Sequence, residues 1–333
     1  MSIPTRELGK SGVMVTELGF GGAPVGALGP RIEEAEADDM IDAAYQGGVR
    51  YFDTAPLYGH GESERRVGRG VMRYDRDSFA LSTKAGRLLV SIEEGERFEG
   101  MLDTNPVAVQ YDYTYDGARR SFEESLERLG IDRVDILLCH DIDVWTHGET
   151  EQPGIFKTAM DGILRALAEY REQGVIRAFG LGVNEWQVCA DVLEHYPADC
   201  FLLAGRFTLL EQEPLDVFLP KCLEHNASVI IGGPYNSGLL AVTERRFATY
   251  DYKPASDDLW EKAQAIRKIC ESHNVDIRAA ALRYPLRHPA VASVIPGPRK
   301  LTEVHENLAL IAADIPEALW TDLADAGLSR PIS

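Results

Sequence analysis

The chain has 333 residues, 45% of them hydrophobic and 26% charged, and its 53 acidic and 34 basic side chains give a formal net charge of -19. This is enough chain for a sizeable core and too apolar a composition for disorder. The acidic balance argues against nucleic acid or an anionic membrane as a general partner, and no run reaches the roughly 18 apolar residues that a membrane helix requires.

The opening MSIPTRELGK has no apolar core of the kind a signal peptide needs. The five cysteines are scattered, with no CxxC pair, which suits a reducing compartment. A cytoplasmic location is expected. RELGKSGVMV reads as a small hairpin, placed to plug one end of the fold. Eight short apolar runs then recur: 16–22, 49–55, 78–86, 134–141, 175–183, 200–205, 228–233 and 291–297. Each reads as a strand.

Helical spacing occupies several of the intervals. The stretch 33–48 closes on Gly47-Gly48, a stop signal. Over 118–130, Phe122, Leu126 and Leu129 form one stripe that ends at Gly130, and 162–174 repeats the pattern. Further helices are expected over 260–274 and 301–311. Near-continuous apolar strands alternating with helices imply a parallel sheet covered by helices. Eight such units favour an α/β fold of the (β/α)8 TIM barrel type, with the N-terminal hairpin as plug. An open dinucleotide-binding sheet should show GxGxxG after its first strand, and GFGGAPVGALG does not meet that spacing. Without a linker or low-complexity tract, one domain is expected to span 1–333. Three poorly patterned stretches, 88–117, 140–155 and 243–258, each follow a strand and are expected over the C-terminal mouth of the barrel.

Polar residues collect at three successive strand ends. Asp53 closes the second strand, Lys84 the third and His140 the fourth, with Tyr58 in the loop beyond Asp53. Alternation places Ile136, Leu138 and His140 on one face, and Ala80, Ser82 and Lys84 on another. Each residue alone has a plain structural explanation, such as a turn-capping aspartate or a packed tyrosine. Together they suggest proton transfer to or from an oxygen. A tyrosine with an unperturbed pKa near 10 needs help to act as a base, and a lysine held by an aspartate would lower that pKa. His140 would donate to the substrate oxygen or relay its proton. No carboxylate pair suggests glycoside hydrolysis. His60, His140 and His147 do not make HxH or HExxH spacing, so no metal is expected. At the last strand, VIPGPRKLTEVHEN leads through Gly297, Arg299 and Lys300 into a helix start, a physically sound phosphate site.

The words FDTAPLYGHGESE, LSTKAG, DILLCHD and IPGPRKLTEVHEN, in that order, resemble the aldo-keto reductase superfamily over essentially the whole chain. The resemblance implies that Asp53, Tyr58, Lys84 and His140 form a catalytic tetrad. YDYTYDGARRSFEESLERLG, HDIDVWTHG, LLAGRFTLLEQ and IGGPYNSGLL are similar to the bacterial D-threo-aldose 1-dehydrogenase group, which includes L-fucose, L-galactose and D-arabinose dehydrogenases. That resemblance implies NAD(P)-dependent oxidation of a small aldose at C1 to the aldonolactone, with Tyr58 as acid and base. Pyridoxal 4-dehydrogenase or general aldehyde reductase activity is the enzymatic alternative, and a non-catalytic barrel serving as a regulatory subunit is the alternative of another class.

On the cofactor side the chain departs from the family pattern at Glu185 after Asn184, at Ala204 and at Gly232, which implies a modified nicotinamide cradle. Glu303 aligns where a basic residue often meets the 2′-phosphate, which favours NAD over NADP, while Arg299 and Lys300 could compensate. Asn307 matches the family's adenine-side asparagine. A sugar needs directional polar contacts and a flat or apolar backing, for which His60, Trp145, His147 and Trp186 are the candidates.

Overall fold

The computed structural model describes residues 2–26, 32–91 and 107–332. Eight parallel strands form one sheet: β1 (Phe20–Gly21), β2 (Tyr51–Asp53), β3 (Ala80–Ala85), β4 (Ile136–His140), β5 (Ala178–Val183), β6 (Cys200–Ala204), β7 (Ser228–Gly232) and β8 (Val291–Ile295). Each lies inside one of the eight apolar runs. The sheet closes on itself where Leu18 bridges Val294 in parallel, with the Gly19 amide donating to the Val294 carbonyl at 2.9 Å. The fold is a (β/α)8 barrel.

The alternation seen in the sequence sorts the strand side chains into two layers. Tyr51, Ala80, Ile136, Leu138, Ala178, Leu202 and Ile230 fill the interior, while Leu81, Ala85, Leu137, Cys139 and Phe179 pack outward against helices. The antiparallel hairpin Thr5–Glu7/Met14–Thr16 brings Leu8, Val13 and Val15 into the interior cluster and plugs the N-terminal end.

The helices among the described residues are α1 (Glu34–Gln46), α2 (Glu62–Val71), α3 (Tyr115–Leu129), α4 (Val144–Asp161), α5 (Ile163–Glu172) and α6 (Trp186–Leu193). They continue with α7 (Phe218–His225), α8 (Asp257–Ser272), α9 (Ile277–Leu286), α10 (Leu301–Ile311) and α11 (Glu317–Asp325). Helix ends follow local chemistry. Thr114 caps α3 by accepting from the Gly117 amide at 3.0 Å, and Gly130 ends it in the left-handed region at φ 67°.

The three stretches expected over the mouth carry more order than their patterning suggests. Within 88–117, Arg87–Ser91 pairs with Val107–Tyr111 as a hairpin, and 92–106 lies outside the described residues. The stretch 140–155 is largely the start of α4, capped by Asp143 and interrupted at Gly148. Helix α4 hides from periodicity because it holds Gly148, Pro153 and Gly154 and buries only Ala159, so it has no apolar stripe. Within 243–258 a short hairpin pairs Thr249–Tyr250 with Lys253–Pro254.

Candidate active site

The ends of β2, β3 and β4 bring three of the expected residues to one side of the mouth, and the turn after β2 adds Tyr58. Lys84 is 1% exposed and Asp53 2%, so neither charge has access to water. They satisfy each other: Lys84 Nζ donates to Asp53 Oδ2 at 2.8 Å and to the Thr54 carbonyl at 2.9 Å. Ser82 Oγ donates to Asp53 Oδ1 at 2.7 Å, and the Tyr51 hydroxyl meets Ser82 at 3.0 Å. Burial would discharge this lysine, but the Asp53 charge and bonds outweigh it and raise its pKa, keeping it an ammonium.

That ammonium lies 4.6 Å from the centre of the Tyr58 ring, and the His140 imidazole meets the same ring edge-on at 6.1 Å between centroids. Room for the lysine stem comes from Gly182 on β5, two strands away, where a Cβ would sit 3.0 Å from Lys84 Cε. The turn carrying Tyr58 packs against the loop after β1 so closely that a Cβ on Gly26 would lie 2.4 Å from the Tyr58 carbonyl.

The electrostatics differ from the sequence expectation in one respect. Lys84 does pull the Tyr58 pKa down, but desolvation is the larger effect and Asp53 adds to it, leaving the phenol pushed up to about 12. Burial, with Arg87 and Lys84 nearby, holds His140 well below the usual histidine range, so its ring is neutral at pH 7. A neutral imidazole can still donate through one nitrogen. His140 Nδ1 is buried and accepts or donates no hydrogen bond among the described residues.

The residues expected at the cofactor end sit across the mouth, on the loop from β8 into α10. Gly297, Arg299 and Lys300 are exposed. Lys300 is the N-cap of α10 without a side-chain cap, and Glu303 instead reaches back to accept from the Arg299 amide at 2.8 Å. Asn307 is buried and its Oδ1 accepts from the Tyr235 hydroxyl at 2.7 Å. The Asn184 amide donates to Asp143 Oδ2 at 2.8 Å, and the Glu185 amide to the same oxygen at 3.2 Å. Near the ends of β6 and β7, Asn236 donates to the Gly205 carbonyl while its own Oδ1 is buried without a donor among the described residues. Two exposed cations at a helix start whose N-cap side chain makes no capping bond fit the phosphates of a dinucleotide, and a buried acceptor left open after β7 fits its amide.

The four substrate candidates have different surroundings. His60 is 1% exposed in a positive-φ turn. His147 Nε2 contacts the Asp141 carbonyl at 2.9 Å and the Tyr113 hydroxyl at 3.1 Å. Trp186 bonds Glu213 through its indole N–H at 3.1 Å and stacks toward Phe218. Trp145 is half exposed, with the Arg206 guanidinium 5.3 Å from its ring centre. Arg206 also makes a two-point bond to Asp251, both at 3.0 Å, so the loops after β4, β6 and β7 meet there. Sequence reading missed Arg206, and also the buried pair Arg87–Asp141 beside His140. The word HDI offered a signal for Asp141, since it continues the strand whose histidine was already singled out.

Among the described residues no group of three or more His, Cys, Asp or Glu is placed to hold a metal ion, and no helix is long and apolar enough to cross a membrane. A cavity of about 660 Å³ lined by Met72, Phe79 and Ile131 lies at the N-terminal ends of β3 and β4, away from this chemistry.

Residues 17–326 match the model of the aldo/keto reductase family. The chain belongs to that family. It is 37% identical to a pyridoxal 4-dehydrogenase of Microbacterium luteolum, over 97% of each chain. It is 36% identical to a D-threo-aldose 1-dehydrogenase of a Pseudomonas species, over 96% of each. An L-galactose dehydrogenase of Arabidopsis thaliana is 29% identical over 93% of this chain and 88% of its own. In fold the chain is similar to the holo form of an aldo-keto reductase from Bacillus halodurans, with a TM-score of 0.77, 23% identity and coverage of 99% and 98%. Family membership carries the general chemistry of an NAD(P)-dependent sugar or aldehyde oxidoreductase acting on a small molecule.

Proposed function

We propose that this aldo/keto reductase oxidises a small aldose, of the L-fucose, L-galactose or D-arabinose type, at C1 to the aldonolactone. The observation that carries the reading is the buried Lys84–Asp53 pair set against the Tyr58 ring, with the neutral His140 edge-on to the same ring. A bound nicotinamide dinucleotide supplies the two-electron chemistry, as hydride acceptor in oxidation and donor in reduction. Arg299, Lys300 and Gly297 would hold its phosphate end, with Glu303 and Asn307 on the adenosine side and Asn184 toward the nicotinamide. Glu303 favours NAD, because its carboxylate would repel a 2′-phosphate.

Tyr58 receives the proton of the anomeric hydroxyl in oxidation and returns one to the developing alkoxide in reduction. Lys84 stabilises the phenolate by charge, and Asp53 with the Thr54 carbonyl keeps the ammonium from turning away. His140, neutral, orients the substrate oxygen by a hydrogen bond. Trp145 and His147 line the approach, Trp145 as an exposed flat surface for a sugar ring; His60 and Trp186 are placed further back in this reading.

A second reading has support of its own: the relative named for pyridoxal is as similar as the one named for aldoses. Pyridoxal and aldoses share a reacting carbon that forms a cyclic hemiacetal, so the same four residues serve both. Dinucleotide reduction followed at 340 nm, pairing NAD or NADP with L-fucose, L-galactose, D-arabinose and pyridoxal, separates them. Turnover with an aldose supports the first reading and ranks the cofactors, and turnover with pyridoxal alone replaces it with the second. Dinucleotide binding without any turnover would mean that the substrate lies outside both classes, and failure to bind either dinucleotide would overturn both readings and turn attention to a non-catalytic barrel.

A further inference from the structure

The proton-transfer scheme leaves one buried charged group beside the reacting centre without a task. Asp141 follows His140 directly and takes a left-handed backbone conformation, φ 47°, which a non-glycine residue adopts only when its surroundings hold it there. Three bonds do so. Its amide donates to the Gly182 carbonyl at 2.9 Å, and its carbonyl accepts from the Tyr113 hydroxyl at 2.8 Å and contacts His147 Nε2 at 2.9 Å. The result is to turn the carboxylate back toward the strand ends. Its Oδ2 accepts from Arg87, a buried guanidinium positioned by the hairpin after β3, and lies 3.3 Å from His140 Nε2. Oδ1 accepts nothing among the described residues, and the side chain keeps 11% of its surface exposed.

A carboxylate fixed through one oxygen and open through the other is a directional acceptor for a hydroxyl. Its position decides which hydroxyl. The reacting oxygen belongs between Tyr58 and His140, and vicinal oxygens on a sugar lie within hydrogen-bond range of each other. The oxygen on the next carbon therefore falls toward the group beyond His140. We propose that Asp141 is a specificity-determining residue whose Oδ1 accepts a hydrogen bond from the hydroxyl adjacent to the reacting carbon. This rests on the aldose reading of the proposed function and adds the substrate feature it requires: a cyclic hemiacetal bearing a hydroxyl on the next carbon, which is C2–OH in an aldose. Burial lifts the Asp141 carboxyl to about 6 against the pull of Arg87, leaving it mostly ionised at neutral pH.

The test compares substrates that differ only in that hydroxyl. D-arabinose and 2-deoxy-D-ribose form one such pair, and L-fucose and 2-deoxy-L-fucose another. A hydrogen bond to a charged acceptor should give the wild-type protein a preference in kcat/KM of roughly 10- to 150-fold for the hydroxylated member. In Asp141→Ala, which leaves no side-chain acceptor, that ratio should fall to within about threefold of unity, a readout that general loss of active protein does not move because both substrates meet the same preparation. Should this variant fail to fold because Arg87 keeps its charge, the double variant Arg87→Met/Asp141→Ala removes both charges and the acceptor, and the same collapse is expected. A ratio near one in the wild type, or one retained in either variant, overturns the assignment. Absence of turnover with every hydroxylated aldose is a different failure, seen in the wild type alone, and removes the aldose reading together with this residue's part in it.

Discussion

The two sides of the barrel mouth handle charge differently. At β2–β4 the charges are sealed in and paired before any ligand arrives, Lys84 with Asp53 and Arg87 with Asp141. Across the mouth, Arg299 and Lys300 stand in water at the start of α10. The difference follows from solvation. A buried charge must find a partner inside the protein or not form, whereas an exposed one is stable alone and can exchange water for a phosphate. One side is therefore built to hold geometry for proton transfer. The other is built to be completed by what binds.

The sharpest way to break this comparison is to remove one oxygen from the sealed side. Tyr58→Phe keeps the ring and its contact with Lys84 but has no proton to exchange. Turnover should fall about 10²- to 10⁴-fold while dinucleotide affinity stays within about threefold, measured by initial rates and by fluorescence titration. Near-normal turnover would show that the acid–base oxygen lies elsewhere.

Stability gives the next largest effect. Lys84→Met leaves the Asp53 carboxylate buried without its cation and should cost about 3–5 kcal/mol in denaturant unfolding. Asp53→Asn/Lys84→Met should recover most of that loss. A double variant no more stable than the single would mean that the lysine stem, packed past Gly182, matters more than the charge.

The phenol also sets a pH dependence. Because desolvation holds Tyr58 at about 12, the phenolate needed for oxidation becomes more populated as pH rises, and the phenol needed for reduction is already dominant at neutrality. Oxidative kcat/KM should climb through pH 7–10 without a plateau, while the reductive value stays flat. An oxidative plateau beginning near pH 7 would mean that something in the working complex lowers that pKa by several units.

Much of this architecture was legible because barrel strands are short, fully buried runs that end in a polar residue. The alternation in VDILLCHD and SFALSTKAG placed His140 and Lys84 on the inner face, and they are there. What stayed hidden depends on packing that periodicity does not record. Helix α2 shows little apolar stripe since glycines share its contact face with Val67 and Val71: a Cβ on Gly68 would come within 2.0 Å of the Leu129 carbonyl, and Gly70 abuts Ile41. Helix α9 buries Ile277, Ala279 to Leu282 and Tyr284 to Leu286, so it lacks a polar face to mark its period. Arg87 and Asp141 lie 54 residues apart and meet only because β3 and β4 are neighbours. The net direction of the Tyr58 shift escaped for a related reason, as a sequence reveals the nearby cation but not the depth of burial.

The smallest effect lies on the open side, at Glu303. Its carboxylate accepts from the Arg299 amide, as the third residue of α10, and in the proposed reading it also sets a negative charge against the 2′-phosphate of NADP. Glu303→Gln separates them, since an amide oxygen can still accept from Arg299 while the charge is gone. Stability should change by less than about 1 kcal/mol. The NAD-to-NADP ratio of kcat/KM should shift toward NADP by about 5- to 10-fold, the size of one screened charge interaction, and the shift should shrink as salt is raised from low to physiological ionic strength. An unchanged ratio would assign Glu303 to the helix start alone and leave Arg299 and Lys300 as the groups that decide between the two dinucleotides. A shift that survives high salt would point to a direct hydrogen bond with the ribose instead of long-range repulsion, because a short contact is screened far less than an exposed charge pair.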